Sequence, residues 1–193
     1  MLRLSTLCLM GPSLLAAGAV AFPGMSARAG DAAQVCSSGE TPALFCYTEA
    51  NGATPQNVDV ADIKYVASDL RTYGRNQTRG QGPRLFHMPY TSTPALPCNE
   101  VTIYQHGSVK AIAKHINDTI WSTVTYEDIA TTLDGGPDAT DAERSRAIVG
   151  CLSNGGSLGV LVNATNGAYS SPVYKAIGGK PEGILIKIVA NSA

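Results

Sequence analysis

Three histidines, His87, His106 and His115, are the only side chains here whose ordinary titration range sits near neutral pH. Cleaving RNA by acid–base chemistry needs a proton acceptor, a proton donor and a cation for the phosphate. His87 or His106, taken with Glu100 and Arg84, would supply those roles, and Arg84 and His87 share one strand candidate. A ribonuclease or other small hydrolase is therefore the alternative reading. Histidines at or below the surface without a common site are the plainer one. Arg71, Arg75, Arg79 and Arg84 form the one basic stretch, with no acid between Asp69 and Glu100. Such a stretch would suit phosphate or a polyanionic glycan. A solvated loop explains it more simply, since a sugar on Asn76 would crowd it.

Other chemistries find less support. No His-x-His or His-Glu-x-x-His spacing is present, and no two cysteines sit at zinc-site spacing. Asp134, Asp138, Asp141 and Glu143 put four acids in ten residues, but the run does not match a hand-type calcium loop. Gly156-Ser157-Leu158-Gly159 lacks the spacing of a nucleophile elbow, and no glycine-rich phosphate loop occurs. The expectation is a protein without cofactor or metal, more a binder than an enzyme.

The first residues read as a leader. Met1-Leu2-Arg3 begins positive, Leu4 to Phe22 is apolar, and Ala27-Arg28-Ala29 is a small-x-small cleavage signature. Residues 1–29 are read as a signal peptide and 30–193 as the secreted domain, with no membrane span after cleavage. Losing Arg3 and Arg28 leaves 12 basic against 15 acidic residues, a net charge of −3 that argues against a general nucleic-acid binder. Cys36, Cys46, Cys98 and Cys151 remain once Cys8 leaves with the leader, and in an exported chain they predict two disulfides of unassigned pairing. Asn76-Gln-Thr78, Asn117-Asp-Thr119 and Asn163-Ala-Thr165 are sequons, a mild sign of a eukaryotic glycoprotein.

The elements that must hold these residues are read from periodicity. Ile184, Ile186 and Ile188 alternate with Leu185, Lys187 and Val189, the pattern of a central strand with one lysine at its margin. Val58 to Tyr73 repeats at helical spacing, with Asp59 and Asp62 at its start and Gly74 as its stop. Strands are expected at 43–48, 84–88, 100–105 and 158–163. Gly107-Ser108 is taken to open a helix carrying Val109, Ile112, Ala113 and Ile116. Thr125/Asp128 and Thr140/Glu143 read as capping boxes, for helices within 121–133 and from 140 to 152. Residues 171–179 read as a loop or short strand. Together these predict one α+β domain, an antiparallel or mixed sheet with helices on one face.

A leader, a domain of about 160 residues, four mature cysteines and no recognisable catalytic motif form a combination that resembles the small secreted proteins of plant-associated fungi. These include effector candidates with killer-toxin-like α+β sandwiches. The resemblance is one of type across the mature chain. It implies a non-enzymatic virulence or toxin protein acting outside the producing cell, the host apoplast included, by binding a host or competitor protein or glycan. A wall-associated structural glycoprotein is the further alternative, raised by the sequons.

Overall fold

The isoleucine-rich strand does organise the sheet. A computed structural model describes residues 40–76, 84–88, 100–117 and 120–192. All of them belong to one unit, Cys36–Ala193. The expected leader lies outside the described residues, as do Cys36 and Cys98. In chain order the elements are β1 (Phe45–Cys46), α1 (Val60–Arg75), β2 (Leu85–Met88), β3 (Glu100–His106), β4 (Val109–His115), β5 (Ser122–Thr125), α2 (Tyr126–Asp134), α3 (Asp141–Arg144), β6 (Gly156–Gly159), α4 (Pro172–Ile177) and β7 (Ile184–Ala190). Strands β1-β6-β7-β4-β3 form one sheet in that order, and β2-β5 a second. Every ladder is antiparallel. The fold is α+β.

On β7, Ile184, Ile186 and Ile188 point into the core with Val109, Ala111 and Ala113 of β4 and Leu158 of β6. The register sets Ile186 against Ala113 and Leu158, and Ile188 against Ala111 and Gly156. Large residues thus lie beside small ones, which is how a layer fills without voids. Ile63, Val66, Ala67 and Leu70 of α1, with Ile129, Ala130 and Leu133 of α2, cover that face. Burying each of these isoleucine, valine and leucine side chains is worth ~1.5–3 kcal/mol.

The stretch expected to open a helix at Gly107 is instead a hairpin. His106 pairs with Val109 across a two-residue turn, and β4 runs from there to His115. Val109, Ala111 and Ala113 face the core, and Ile112 the other side, so alternation wins over the helical spacing that Val109, Ile112, Ala113 and Ile116 also satisfy. Gly107 has φ +50°, and a Cβ there would collide with the Asp62 carboxylate. That carboxylate accepts from Ser108 N–H and Oγ at 2.7 Å each, while Ser108 Oγ accepts from Asp59 N–H at 2.7 Å. Ser108 ties the hairpin to α1 and caps no helix of its own. Those donors hold the Asp62 carboxyl below the usual range.

Other boundaries also move. Asp59 caps α1 as its side chain accepts from Ala61 N–H, but Gly74 lies inside the helix, which ends at Arg75. Residues 121–133 divide into β5 and α2, with Thr125 as the N-cap and Gly135 as the stop. Thr140 and Glu143 form the expected reciprocal capping box, yet α3 ends at Arg144. A 3₁₀ stretch, Ile148–Asn154, follows and is interrupted at Leu152 (φ 57°, ψ −137°). The strand expected over 158–163 is Gly156–Gly159, starting two residues earlier and ending four earlier. Residues 171–179 contain helix α4, capped by Ser171 with Pro172 in its first turn. Of the two disulfides expected, the one among the described residues joins Cys46 to Cys151, with Cα atoms 5.2 Å apart. Closing a loop across 105 residues stabilises by ~4–5 kcal/mol in the chain-entropy account.

Candidate cleft between the end of the first helix and the 166–171 segment

Two arginines share one cleft because two helix ends approach closely. Gly74, in the last turn of α1, lies where an added Cβ would be 3.0 Å from Tyr126 Cβ and 3.3 Å from Glu127 N. Only a bare backbone lets α1 run this tightly over the start of α2. The next residue, Arg75, then meets Glu127, with Nε 2.5 Å from Oε1. Asn166 Nδ2 donates to the other oxygen of Glu127 at 3.3 Å. Arg84 arrives from the segment before β2. Its Nε donates to the Asn76 carbonyl at 2.9 Å, and its guanidinium carbon lies 4.2 Å from the Tyr73 ring centre. Tyr73 packs edge-on against Tyr126, which in turn packs edge-on against Phe86. Burial raises the Tyr126 hydroxyl. The stacked arginine is thereby held in a fixed plane.

The opposite wall is a segment fastened to α2. Leu161 N–H donates to Thr132 Oγ1 at 2.9 Å, and Asn163 N–H to Asp128 Oδ1 at 3.3 Å. Tyr169 donates its hydroxyl to Asp128 and accepts from Thr125 N–H at 3.1 Å. Asp128 is 2% exposed. Burial pushes its carboxyl up, against the downward pull of Tyr169, Asn163 and Thr125. Burial also raises the Tyr169 hydroxyl, and Asp128 adds to that rise. Asp128 is thus a rivet that fixes where Asn166 and Ser171 stand.

Between these walls lies a cavity of about 380 Å³, lined by Gly74, Arg75, Arg84, Glu127, Asn166 and Ser171 among others. Of the charged side chains lining it, two are cations and one an anion. Each arginine is anchored through Nε, and its terminal nitrogens have no partner among the described residues. Guanidinium groups held this way present paired donors to a carboxylate, sulfate or phosphate.

The residues singled out for acid–base chemistry are dispersed. Arg84 lines the cleft. His87 lies on β2, pairs across with Thr123 and has Nδ1 3.1 Å from Thr123 Oγ1. Desolvation pulls its pKa down. Being an odd number of residues apart, Arg84 and His87 point to opposite sides of an extended chain. Glu100 and His106 are the first and last residues of β3, roughly 20 Å apart at strand rise. Glu100 Oε1 accepts from Lys187 Nζ at 2.8 Å on the outer face of the sheet. His106 stacks on Tyr65 with ring centres 3.7 Å apart, and its Nε2 is 3.8 Å from Asp62 Oδ1. His115 lies on β4, where a helix was expected from Gly107 onward, with Nε2 2.9 Å from Ser122 Oγ. Of the acidic run, Asp134 pairs with Arg71 at 2.7 Å and Glu143 caps α3. No three His, Cys, Asp or Glu side chains come together as a metal site among the described residues.

The basic stretch pointed toward this cleft through Arg75 and Arg84. Glu127 and Asn166 carry no local sequence signal, lying 52 and 91 residues beyond Arg75. No family model, no curated protein and no solved structure matches the chain.

Proposed function

We propose that the protein is a secreted binding protein whose cleft takes an anionic group carried by a host or competitor molecule, and that it acts by occupancy rather than by turnover. One observation carries the reading: Arg75 and Arg84 line one cavity, each anchored through Nε with its outer nitrogens turned to no described partner. Arginine stays charged at every physiological pH and takes no part in proton transfer, so such a pair serves recognition. Sulfate, phosphate and uronate-type carboxylates share the geometry that the pair would grip. Tyr73, 44% accessible and stacked by Arg84, adds aromatic surface next to the pair.

The test is titration calorimetry of the oxidised, full-length secreted protein with inorganic sulfate, inorganic phosphate and a short sulfated oligosaccharide. At least one should bind, and Arg84→Gln should weaken it roughly tenfold or more, the worth of a charge-assisted hydrogen bond. Arg75→Gln should do the same. Absence of binding by all three, or unchanged affinity in both variants, would overturn the proposal.

A further inference from the structure

Asn163-Ala-Thr165 lies wholly within the described residues, and Asn163, Ala164 and Thr165 are all exposed. The Asn163 carbonyl accepts from Asn166 N–H at 2.9 Å, closing a turn that leads directly into the cleft wall. Its side chain is oriented as well. Asn163 Oδ1 accepts from Thr165 N–H at 3.1 Å and from Thr165 Oγ1 at 2.7 Å. The amide nitrogen, the atom a glycan would join, has no partner among the described residues. Asp128 holds the Asn163 backbone in place from below.

The three sequons are not equivalent in position. Asn117 follows β4, where Ile116 N–H donates to the Gly183 carbonyl, and it does not line the cleft. Asn76 is exposed on the opposite rim, and its carbonyl receives Arg84. Asn163 is one hydrogen bond from Asn166, the residue that braces Glu127.

We infer that Asn163 carries an N-linked glycan rooted at the rim of the cleft, and that this sugar restricts access to Arg75 and Arg84. The inference rests on the cleft being the binding site, and it adds a means of regulating it. An N-glycan is bulky and hydrophilic. Its first sugars would stand beside the Asn166 wall and narrow the approach to both arginines. A chain made without the sugar would present the same arginines openly.

The experiment uses the full chain secreted from a glycosylating eukaryotic host as the N76Q/N117Q variant, leaving Asn163 as the sole acceptor. Peptide mass spectrometry reads its occupancy. Phenylglyoxal, which modifies arginine, then reads access to Arg75 and Arg84 before and after enzymatic removal of the sugar under native conditions. Asn163 should be occupied, and Arg84 should label several-fold faster once the glycan is gone. The N76Q/N163Q variant, glycosylated only at Asn117, should label at one rate throughout. Thr165→Ser, which keeps the sequon and the hydroxyl, should match the parent, whereas Thr165→Ala should lose both sugar and protection. An unmodified Asn163, or equal labelling with and without its glycan, overturns the inference. Reagent access does not depend on any natural ligand, so a failure of sulfate or phosphate to bind would count against the cleft reading alone.

Discussion

Strand β7 is buried on both faces, and the two faces achieve it by opposite means. Toward the helices, Ile186 and Ile188 belong to the apolar core, and Ile184 joins it with one polar cross-strand neighbour, His115. On the other side, Lys187 is 1% exposed, lying between Ile112 and Ser157 in the ladder. Its Nζ is 2.6 Å from Glu40 and 2.8 Å from Glu100. Lys114 is 2.7 Å from Glu40 and 3.9 Å from Glu100. Tyr47, bonded to Ser157, has its hydroxyl pushed upward by burial, with both glutamates adding to the rise. The first face tolerates any filling of the right volume. The second demands particular partners, because a buried charge left alone is costly whereas a matched set is nearly neutral. Volume holds one side, stoichiometry the other.

Substitution can separate these two modes. Lys187→Met keeps much of the volume but leaves two glutamates facing one lysine. Denaturant unfolding should show a loss of roughly 3–5 kcal/mol. Apolar replacement of Glu40, Glu100, Lys114 and Lys187 together should recover most of it; a quadruple variant as weak as the single one would show that packing, not charge balance, dominates there. Ile186→Ala should cost somewhat less, about 3 kcal/mol from lost transfer and an unfilled cavity, with no dependence on pH. A loss for Ile186→Ala exceeding that of Lys187→Met would invert the comparison.

The smallest effect is a slope. Burial chiefly lifts the Glu100 carboxyl above its ordinary range, with Lys187 and Lys114 pulling the other way. A carboxyl so raised binds its proton more tightly folded than unfolded. Its contribution is therefore fully present below the unfolded value and fades as pH climbs through the folded one. Between pH 4 and 7 the wild type should lose stability relative to Glu100→Gln as pH rises, read by urea unfolding at each pH. The reverse slope would mean that pairing with the lysines outweighs burial.

The legible parts of the fold are those written locally. β7 was readable because β-branched residues alternate over seven positions, and α1 because its apolar residues repeat over four turns. The caps at Thr125 and Thr140 were readable because Ser/Thr-x-x-acid is a short-range signal. β4 was ambiguous, since its apolar positions fit periods of 2 and 3.6 alike, and the Gly107-Ser108 pair decides for a hairpin only once His106 is known to face Val109. Lys187 looked marginal because its acids lie 87 and 147 positions away in sequence. The cleft was half visible. A run of arginines in a glycine-rich stretch is a local pattern, but that Arg75 and Arg84 line one cavity depends on Gly74 meeting Tyr126.

Of the seven strands among the described residues, β7, the last of them, occupies the middle of the five-stranded sheet. Without it, β1 and β6 on one side and β3 and β4 on the other have no shared partner. A chain made only up to residue 183 therefore holds two separate strand pairs, the β3–β4 hairpin and the long-range β1–β6 pair, and no five-stranded sheet. The five strands join only after Ile184 to Ala190 has been made, so the sheet is completed by its own central strand.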